Sequence, residues 1–437
     1  MEHWSDYNYC IDFSQDSFLL YNSFSNAFIE LPITVKANIE RFKSDRNSSV
    51  FDKKTRLILQ KTGAIYEGIK DKQLNALKIC YGNLVFGQPK HIFITVLPTL
   101  RCNFRCSCCF ENLQSHAMSL EVQEALVNKI TQFHQKGYKI SLVWSGGEPL
   151  IEIDIIDSIL SRLNTIGMKY TSIIKTNGYL LTSEVINKLA EWQVKHIQVI
   201  LDGDEYTHDS KRILANGESS FQTIMDNLKH LPSQKRITLG IRVNLDKINE
   251  NIYSQIASSI ESELPGVRVY PRFSTGKCNA CSGQMFASYM DKADFYIQQY
   301  KEYENLSLSY FPVFSLGHCM ATSYNTWIVG PEGELYNCQA EIGLSDKVVG
   351  NIIDDTVTNM DYVSEFMVGV SPFENEQCRR CVVLPLCGGG CALERIAQKN
   401  EGILSACNIF FKDKSKLGEL LKIHYDIKRK RQEITAL

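Results

Sequence analysis

The sequence lacks several features that mark proteins of special environments. No apolar run approaches the ~20 residues of a membrane-spanning helix, and the N-terminal MEHWSDYNYC has no apolar signal-peptide core. The 47 Lys and Arg residues nearly balance the 49 Asp and Glu residues, so no general attraction to nucleic acid is expected. We therefore expect a cytoplasmic globular protein that has neither a membrane nor a nucleic acid as a partner.

Cysteine, in contrast, is abundant, with 15 residues in a chain of 437. In a long chain without a secretion signal, so many cysteines favour metal ligation or redox chemistry over disulfides. They are also clustered: four lie at 102–109 and nine lie between 278 and 407. The clusters therefore predict metal or redox sites at particular places in the fold.

From about residue 91, apolar strand-like runs alternate with helical patterns. The six runs begin with HIFITVLPTL and end with VRVYPRF. This alternation predicts a parallel sheet with right-handed crossovers. Six units are too few for an eight-stranded barrel, so we expect an α/β fold with a partial (β/α)6 TIM-like barrel. Polar and glycine residues follow the strands at the end where sites form in such sheets: Cys102–Cys109, Ser145, Gly146, Gly147, Glu148, Asn177, Asp202, Arg212, Arg242 and Asn244.

The first cluster contains Cys102, Cys106 and Cys109 in the spacing C-x3-C-x2-C. A [4Fe–4S] cluster is usually held by four thiolates, so three thiolates leave one iron open to another ligand. Zinc more often takes four protein ligands. Cys108 is an additional thiol, either a spare cysteine or a ligand.

These residues resemble the signature of radical SAM enzymes, in which CxxxCxxC follows the first strand. The resemblance implies that Cys102, Cys106 and Cys109 hold a catalytic [4Fe–4S] cluster whose open iron binds S-adenosylmethionine (SAM). It also implies cofactor contacts from Ser145 and the Gly146-Gly147-Glu148-Pro149 motif, from Asn177, and from Arg212 to the SAM carboxylate. The sequence departs from the family at Ile200, where relatives often have serine, and at Cys108, where an aromatic residue is usual.

The second cysteine set resembles the SPASM domain of radical SAM enzymes, which holds two auxiliary [4Fe–4S] clusters. The resemblance implies three clusters in all, with one auxiliary cluster on Cys319, Cys338 and Cys391 and the other on Cys378, Cys381, Cys387 and Cys407. The fourth position of the first auxiliary cluster stays open, or is filled by His318, Cys278 or Cys281. Structural zinc is the alternative occupant.

Four segments are predicted: an N-terminal α+β module (1–90), the partial barrel (91–300), the SPASM domain (301–410) and a basic C-terminal helix (411–437). The first weakly resembles the winged-helix-like modules of peptide-modifying relatives, which add a leader peptide as a strand. Its alternative role is a packing cap on the barrel.

The resemblance implies a maturase that installs a carbon–carbon, thioether or ether crosslink in a ribosomally made precursor peptide. Such an enzyme needs an electron donor such as flavodoxin or ferredoxin. One alternative is an anaerobic sulfatase-maturing enzyme that makes formylglycine, and another is a non-catalytic zinc or iron–sulfur protein.

Overall fold

The computed structural model describes residues 1–87, 90–107, 109, 115–231, 237–273, 289–303, 316, 319–400 and 414–430. The chain forms two compact units, each assembled from separated stretches of sequence. The first unit contains Met1–Phe86, Ser288–Thr322 and Phe366–Leu437, and the second contains Gly87–Ala287 and Ser323–Glu365. In the described part of the chain, no helix is both long enough and apolar enough to cross a membrane.

The second unit is built on one ten-stranded sheet with the order β11-β10-β9-β8-β7-β6-β12-β13-β14-β15. Its strands are β6 (His91–Val96), β7 (Lys139–Trp144), β8 (Tyr170–Thr176), β9 (Val194–Ile200), β10 (Thr238–Leu245), β11 (Arg268–Phe273), β12 (Thr326–Val329), β13 (Glu334–Tyr336), β14 (Gly350–Asn351) and β15 (Thr356–Val357). Its helices are α4 (Leu120–Gln135), α5 (Ile153–Thr165), α6 (Ser183–Lys188), α7 (Glu205–Lys211), α8 (Phe221–Lys229), α9 (Tyr253–Glu263) and α11 (Met360–Ser364).

Strands β6 to β11 are parallel neighbours in chain order, as the strand–helix alternation predicts. Successive side chains of a strand point to opposite faces. One face of the sheet is apolar, and Trp144, Ile174, Val199 and Ile241 on it are fully buried. The predicted α/β fold with a largely parallel sheet is therefore confirmed.

The sheet continues beyond β6 into the segment predicted as the SPASM domain. Strand β12 pairs in parallel with β6, placing Trp327 opposite Ile94, and β13 to β15 extend the sheet by antiparallel pairs. These strands are two to four residues long, so they carry little periodic signal. The position of β12 is set instead by pairing with a strand some 230 residues earlier in the chain.

The first unit begins with a small α+β module. Its elements are β1 (Glu2–Trp4), β2 (Asn8–Asp12), β3 (Ser17–Asn22), β4 (Ala27–Pro32), α1 (Val35–Asp45), α2 (Lys53–Lys61), β5 (Ile65–Glu67) and α3 (Lys72–Phe86). Strands β2, β3 and β4 form an antiparallel sheet with β3 in the centre. The stretch DSFLLYNSFSNAFIEL thus forms the hairpin of β3 and β4.

The later elements of this unit are α10 (Tyr289–Tyr303), α12 (Glu376–Arg379), α13 (Leu384–Cys387), α14 (Ala392–Asn400) and α15 (Lys414–Lys430). The module packs against α12, α13 and α15, and α10 packs against α15. One face of the three-stranded sheet packs on α1, with Phe18 and Ile29 against Ile39 and Phe42. The opposite face packs on α15, which contributes Leu417, Leu421 and Tyr425. Both faces of the sheet are therefore covered within this unit.

Candidate functional site

The loop that carries Cys102, Cys106 and Cys109 follows β6 and is held by backbone hydrogen bonds on both sides. Two bonds come from the segment after β7 and two run to the segment at the end of α7: Gly147 N to Thr99 O (3.3 Å), Glu148 N to Arg101 O (2.8 Å), Arg105 N to Ile213 O (2.7 Å) and Ser107 N to Lys211 O (3.1 Å). Three segments that the sequence analysis selected separately therefore meet at the carboxyl ends of β6, β7 and β9.

Gly146 and Gly147 permit the close approach of the cysteine loop to the end of β7. Gly146 has φ of +127°, and a Cβ there would lie 2.4 Å from the carbonyl oxygen of Thr99. A Cβ at Gly147 would lie 2.3 Å from the carbonyl oxygen of Arg101. Real Cβ atoms do not come so close to a backbone oxygen, so these two positions require glycine. The pair positions the cysteine loop, a role that the sequence alone did not reveal.

Glu148 is completely buried and connects the end of β7 with the end of β8. Its Oε1 accepts hydrogen bonds from Leu150 N (3.1 Å) and Thr176 Oγ1 (2.8 Å), and its Oε2 accepts one from Asn177 N (2.8 Å). Burial raises the pKa of the carboxyl to about 7, against the lowering effect of these hydrogen bonds. The carboxylate thus has a structural role, while its contact with the SAM amino group stays a prediction.

Substituting Glu148→Gln should change how stability depends on pH. The folded chain holds the Glu148 proton up to about pH 7, whereas the unfolded chain releases it near pH 4.5. Wild-type stability therefore falls as the pH rises between these values, by on the order of 3 kcal/mol from this group. Glu148→Gln removes that decline, and melting curves from pH 4.5 to 7.5 measure it. An exposed control, Glu184→Gln, should keep the wild-type slope; an unchanged slope in Glu148→Gln would contradict the shifted pKa.

Asn177 lies where β8 ends, beside the cysteine loop. Its Nδ2 donates a hydrogen bond to Asn103 Oδ1 (2.8 Å), and Asn103 lies between Cys102 and Cys106 in the chain. The amide Nδ2 of Asn103 is buried, with no hydrogen-bond partner in the described structure. The predicted neighbourhood of Asn177 and the cysteines therefore exists in the fold, and Asn103 is an additional polar residue of this site.

Arg212 follows α7 and reaches the cysteine loop. Its Nε donates to Asp202 Oδ2 (2.6 Å), and its Nη1 lies 3.7 Å from Cys106 Sγ. Burial alone would lower the pKa of Arg212, but the charges of Asp202 and Cys106 outweigh it and raise the pKa. The guanidinium therefore stays protonated beside a predicted cluster ligand, in position to meet a carboxylate.

Asp202 and His208 support this arginine, and the sequence analysis gave neither a specific role. The buried Asp202 also accepts a hydrogen bond from Asn244 N (3.0 Å) through Oδ1. The fully buried His208 receives the Asp202 N–H at Nδ1 (3.3 Å) and contacts Ser220 Oγ through Nε2 (3.2 Å). Burial and the Arg212 charge lower the pKa of His208 to about 4, so its ring is neutral at neutral pH. His208 lies in the short helix α7, which Asp202 precedes and Arg212 follows, and the sequence does not reveal the contacts among the three.

We expect Arg212→Ala to weaken SAM binding by about ten- to a hundredfold, because it removes a charge-assisted hydrogen bond. Asp202→Asn should weaken binding less, since the arginine remains but loses its buried anchor. Isothermal titration of the reconstituted protein with SAM measures both. Lys195→Ala, at an exposed site on β9, is the control for loss of one positive charge. Wild-type affinity in Arg212→Ala would disprove the predicted carboxylate contact.

The three thiols of the loop have the chemistry of an iron–sulfur site. Burial raises the pKa of the Cys106 thiol, and the Arg212 charge opposes that rise. The Cys102 sulfur accepts a hydrogen bond from Phe104 N (3.4 Å). Among the described residues, no three His, Cys, Asp or Glu side chains converge as a metal site. Three soft donors on one partly buried loop, with a cation beside them, nonetheless fit a thiolate-bound cluster.

The C-terminal cysteines are distributed over both units. Cys319 and Cys391 lie in the first unit, and the charge of Cys391 adds to burial in raising the pKa of the Cys319 thiol. Cys338 lies in the second unit. Cys378 lies in α12, Cys387 lies in α13, and Cys381 lies between the two helices. The described cysteines are all thiols.

The CGGGC segment turns back through three successive glycines, Gly388, Gly389 and Gly390, with φ of +55°, +89° and +80°. Cys108, Cys278, Cys281, His318 and Cys407 lie outside the described residues, so their predicted roles stay predictions.

Comparison with known proteins agrees with this geometry. Residues 96–256 match the model of the radical SAM superfamily. Fe-coproporphyrin III synthase of Methanosarcina barkeri is 27% identical over 192 residues, which is 43% of this chain and 45% of that protein. A cysteine-type anaerobic sulfatase-maturating enzyme of Clostridium novyi is 22% identical over 320 residues, 66% of this chain and 84% of that protein. The chain thus spans about half the length of the first relative and most of the second.

Two solved structures share the fold. Native anSMEcpe with bound AdoMet has a TM-score of 0.57 at 18% identity, covering 77% of this chain and 100% of that one. Streptococcus suis SuiB bound to the precursor peptide SuiA has a TM-score of 0.53 at 16% identity, covering 93% of this chain and 99% of that one. The matched model, the cysteine loop and the strand-end residues agree: residues 96–256 of this chain match a domain of the radical SAM superfamily.

Proposed function

We propose that this protein is a radical SAM maturase that installs a crosslink in a ribosomally made precursor peptide. The radical SAM match at residues 96–256 implies SAM and one [4Fe–4S] cluster, which Cys102, Cys106 and Cys109 would hold. The proposal adds two auxiliary clusters, on the seven C-terminal cysteines named above, and an electron donor such as flavodoxin or ferredoxin.

The observation that carries this proposal is the extent of the shared fold. The SuiB match covers 93% of the chain, so only about 31 of 437 residues lie outside it. That is far fewer than the 86 residues that precede Gly87. Most of the N-terminal module therefore has a counterpart in a protein whose structure contains a precursor peptide. The anSMEcpe match, at 77%, can omit the module altogether.

A [4Fe–4S] cluster held by Cys102, Cys106 and Cys109 would supply the chemistry, the reductive cleavage of SAM that leads to hydrogen abstraction from the substrate. The chain's own residues hold and orient the reactants. Arg212, fixed by Asp202, would pair with the SAM carboxylate. The hydrogen bonds of Glu148 and Asn177 fix the strand ends against the cysteine loop, which would hold SAM and the substrate carbon in fixed positions.

The N-terminal module offers two edges to a leader peptide, at β2 and at β4, because β3 is the central strand. Ile33 N donates to Asp16 O (2.8 Å), which continues the hydrogen-bonded register of β3 and β4. Alternation along an antiparallel strand then turns the backbone groups of Phe28 and Glu30 outward from β4. These outward groups are the backbone donors and acceptors that an added strand would use.

Sulfatase maturation is the second candidate, because the match to the sulfatase-maturating enzyme of Clostridium novyi spans 84% of that protein. The two functions give different products. The reconstituted protein should be incubated anaerobically with SAM, a reductant and the peptide from a neighbouring small open reading frame, or with a sulfatase-derived peptide. In tandem mass spectra, a crosslink appears as two residues that stay joined when the peptide is fragmented. Formylglycine appears as an aldehyde that a hydrazide probe captures, and finding only this product would overturn the maturase proposal.

A further inference from the structure

The face of the sheet opposite the apolar one carries mostly polar side chains along the parallel strands. The pairing register places these residues together: His91, Phe93, Thr95, Lys139, Ser141, Val143, Thr171, Ile173, Lys175, His196, Gln198, Ile200, Thr238, Gly240, Arg242, Asn244, Arg268, Tyr270 and Arg272. We call this set the polar face. It contains five lysines and arginines and two histidines, and its strands contribute no aspartate or glutamate.

The positive charge is concentrated around Arg242 on β10. Arg242 lies opposite Tyr270 on one side and Ile200 on the other. Arg272 is two residues from Tyr270, and burial together with the charges of Arg272 and Arg212 lowers the pKa of Arg242 to about 10. Three guanidinium groups therefore repel one another here, and Asp202, which is already paired with Arg212, is the carboxylate that offsets them.

Arg242 also has a buried hydrogen-bond donor that no described residue accepts. Its Nε is buried, with no hydrogen-bond partner in the described part of the chain, and the same holds for Oγ1 of Thr95 on the polar face. A buried donor without a partner destabilises the fold, and more so when the group is charged. Neither feature helps the fold, since an apolar side chain would pack without this cost. The arrangement instead suits a ligand that brings negative charge and hydrogen-bond acceptors.

We propose that the polar face, with Arg242 at its centre, binds an acidic side chain of the substrate peptide. This inference rests on the proposed function and specifies its substrate class: a peptide segment with aspartate or glutamate near the residues to be modified. A carboxylate accepts two hydrogen bonds from one guanidinium in a planar pair, which would satisfy the buried Nε. The position of Arg242 near the end of β10 places this contact beside the predicted SAM site.

The test uses two labelled peptides, one containing aspartates and one with asparagine at the same positions, titrated by fluorescence anisotropy onto the reconstituted full chain with SAM. The aspartate peptide should bind about tenfold or more tightly than the asparagine peptide, and higher salt should reduce the difference. Arg242→Gln should remove about tenfold of the preference, and Arg242→Lys should retain part of it. Lys169→Gln, at an exposed turn before β8, removes the same charge elsewhere and should retain all of it.

Because SAM also carries a carboxylate, its affinity is measured for the same variants. A loss of SAM affinity in Arg242→Gln with an unchanged peptide preference would overturn the proposal, because Arg242 would then serve the cofactor. Equal binding of the two peptides would also overturn it. Neither result touches the proposed function, which depends on the modified product. Absence of both peptide binding and peptide modification would count against this inference and against the proposed function.

Discussion

Replacing Cys102, Cys106 and Cys109 together by alanine is expected to abolish SAM cleavage and to remove about four irons and four sulfides per chain. The three thiols stand on one loop between the glycine turn after β7 and Arg212, and the chain has no second C-x3-C-x2-C set. Reconstituted wild type should contain about twelve irons if both auxiliary clusters form. Iron and sulfide analysis and the yield of 5′-deoxyadenosine measure the two effects.

The matched control for this triple variant is Cys10→Ala with Cys80→Ala. Both of these cysteines are exposed and lie outside the motifs. The control should retain the full iron content and 5′-deoxyadenosine production. Continued production by the triple variant would disprove the role of this loop. Zinc in place of iron in anaerobically purified wild type would instead support the structural-zinc alternative.

The sequence predicted the parallel sheet and the convergence of its strand ends because both follow from local patterns. Strand–helix alternation dictates parallel strands, and parallel strands bring their carboxyl ends to one edge. The cysteine loop, Glu148, Asn177 and Arg212 are therefore neighbours in the fold, as expected. Side-chain direction is not encoded in that pattern. The pattern does not reveal, for example, that the Glu148 carboxyl accepts three hydrogen bonds from within the fold.

Non-local contacts account for most of what the sequence did not reveal. Strand β12 joins β6 across some 230 residues, and no local motif indicates this pairing. The sequence predicted a basic C-terminal helix but not its partner: Leu417 and Leu421 pack on the N-terminal sheet beside Leu19 and Tyr21. The module at 1–90 therefore has a packing role whether or not it binds a leader. Its removal would expose that shared core, so truncation cannot separate the two roles.

A single proline in β4 separates the leader-binding role of the module from its packing role. We expect Glu30→Pro to lower the ratio of modified full-length precursor to 5′-deoxyadenosine by roughly 100-fold, because the leader no longer positions the reacting carbon. Proline removes an N–H that points away from β3, which an edge strand tolerates. Glu30→Gln keeps the N–H and controls for the side chain, whose Oε2 accepts a hydrogen bond from the Tyr425 hydroxyl (3.1 Å).

Cys10→Pro is the matched control on the opposite edge of the same sheet. Cys10 lies in β2 opposite Leu20, and by the same alternation its N–H points away from β3. If the leader adds to β4, Glu30→Pro loses peptide modification and Cys10→Pro retains it. If both variants lose it equally, the sheet matters only for stability, which melting curves would show. If both retain it, the leader does not bind this sheet as an added strand, and the covered faces leave the module with packing as its function.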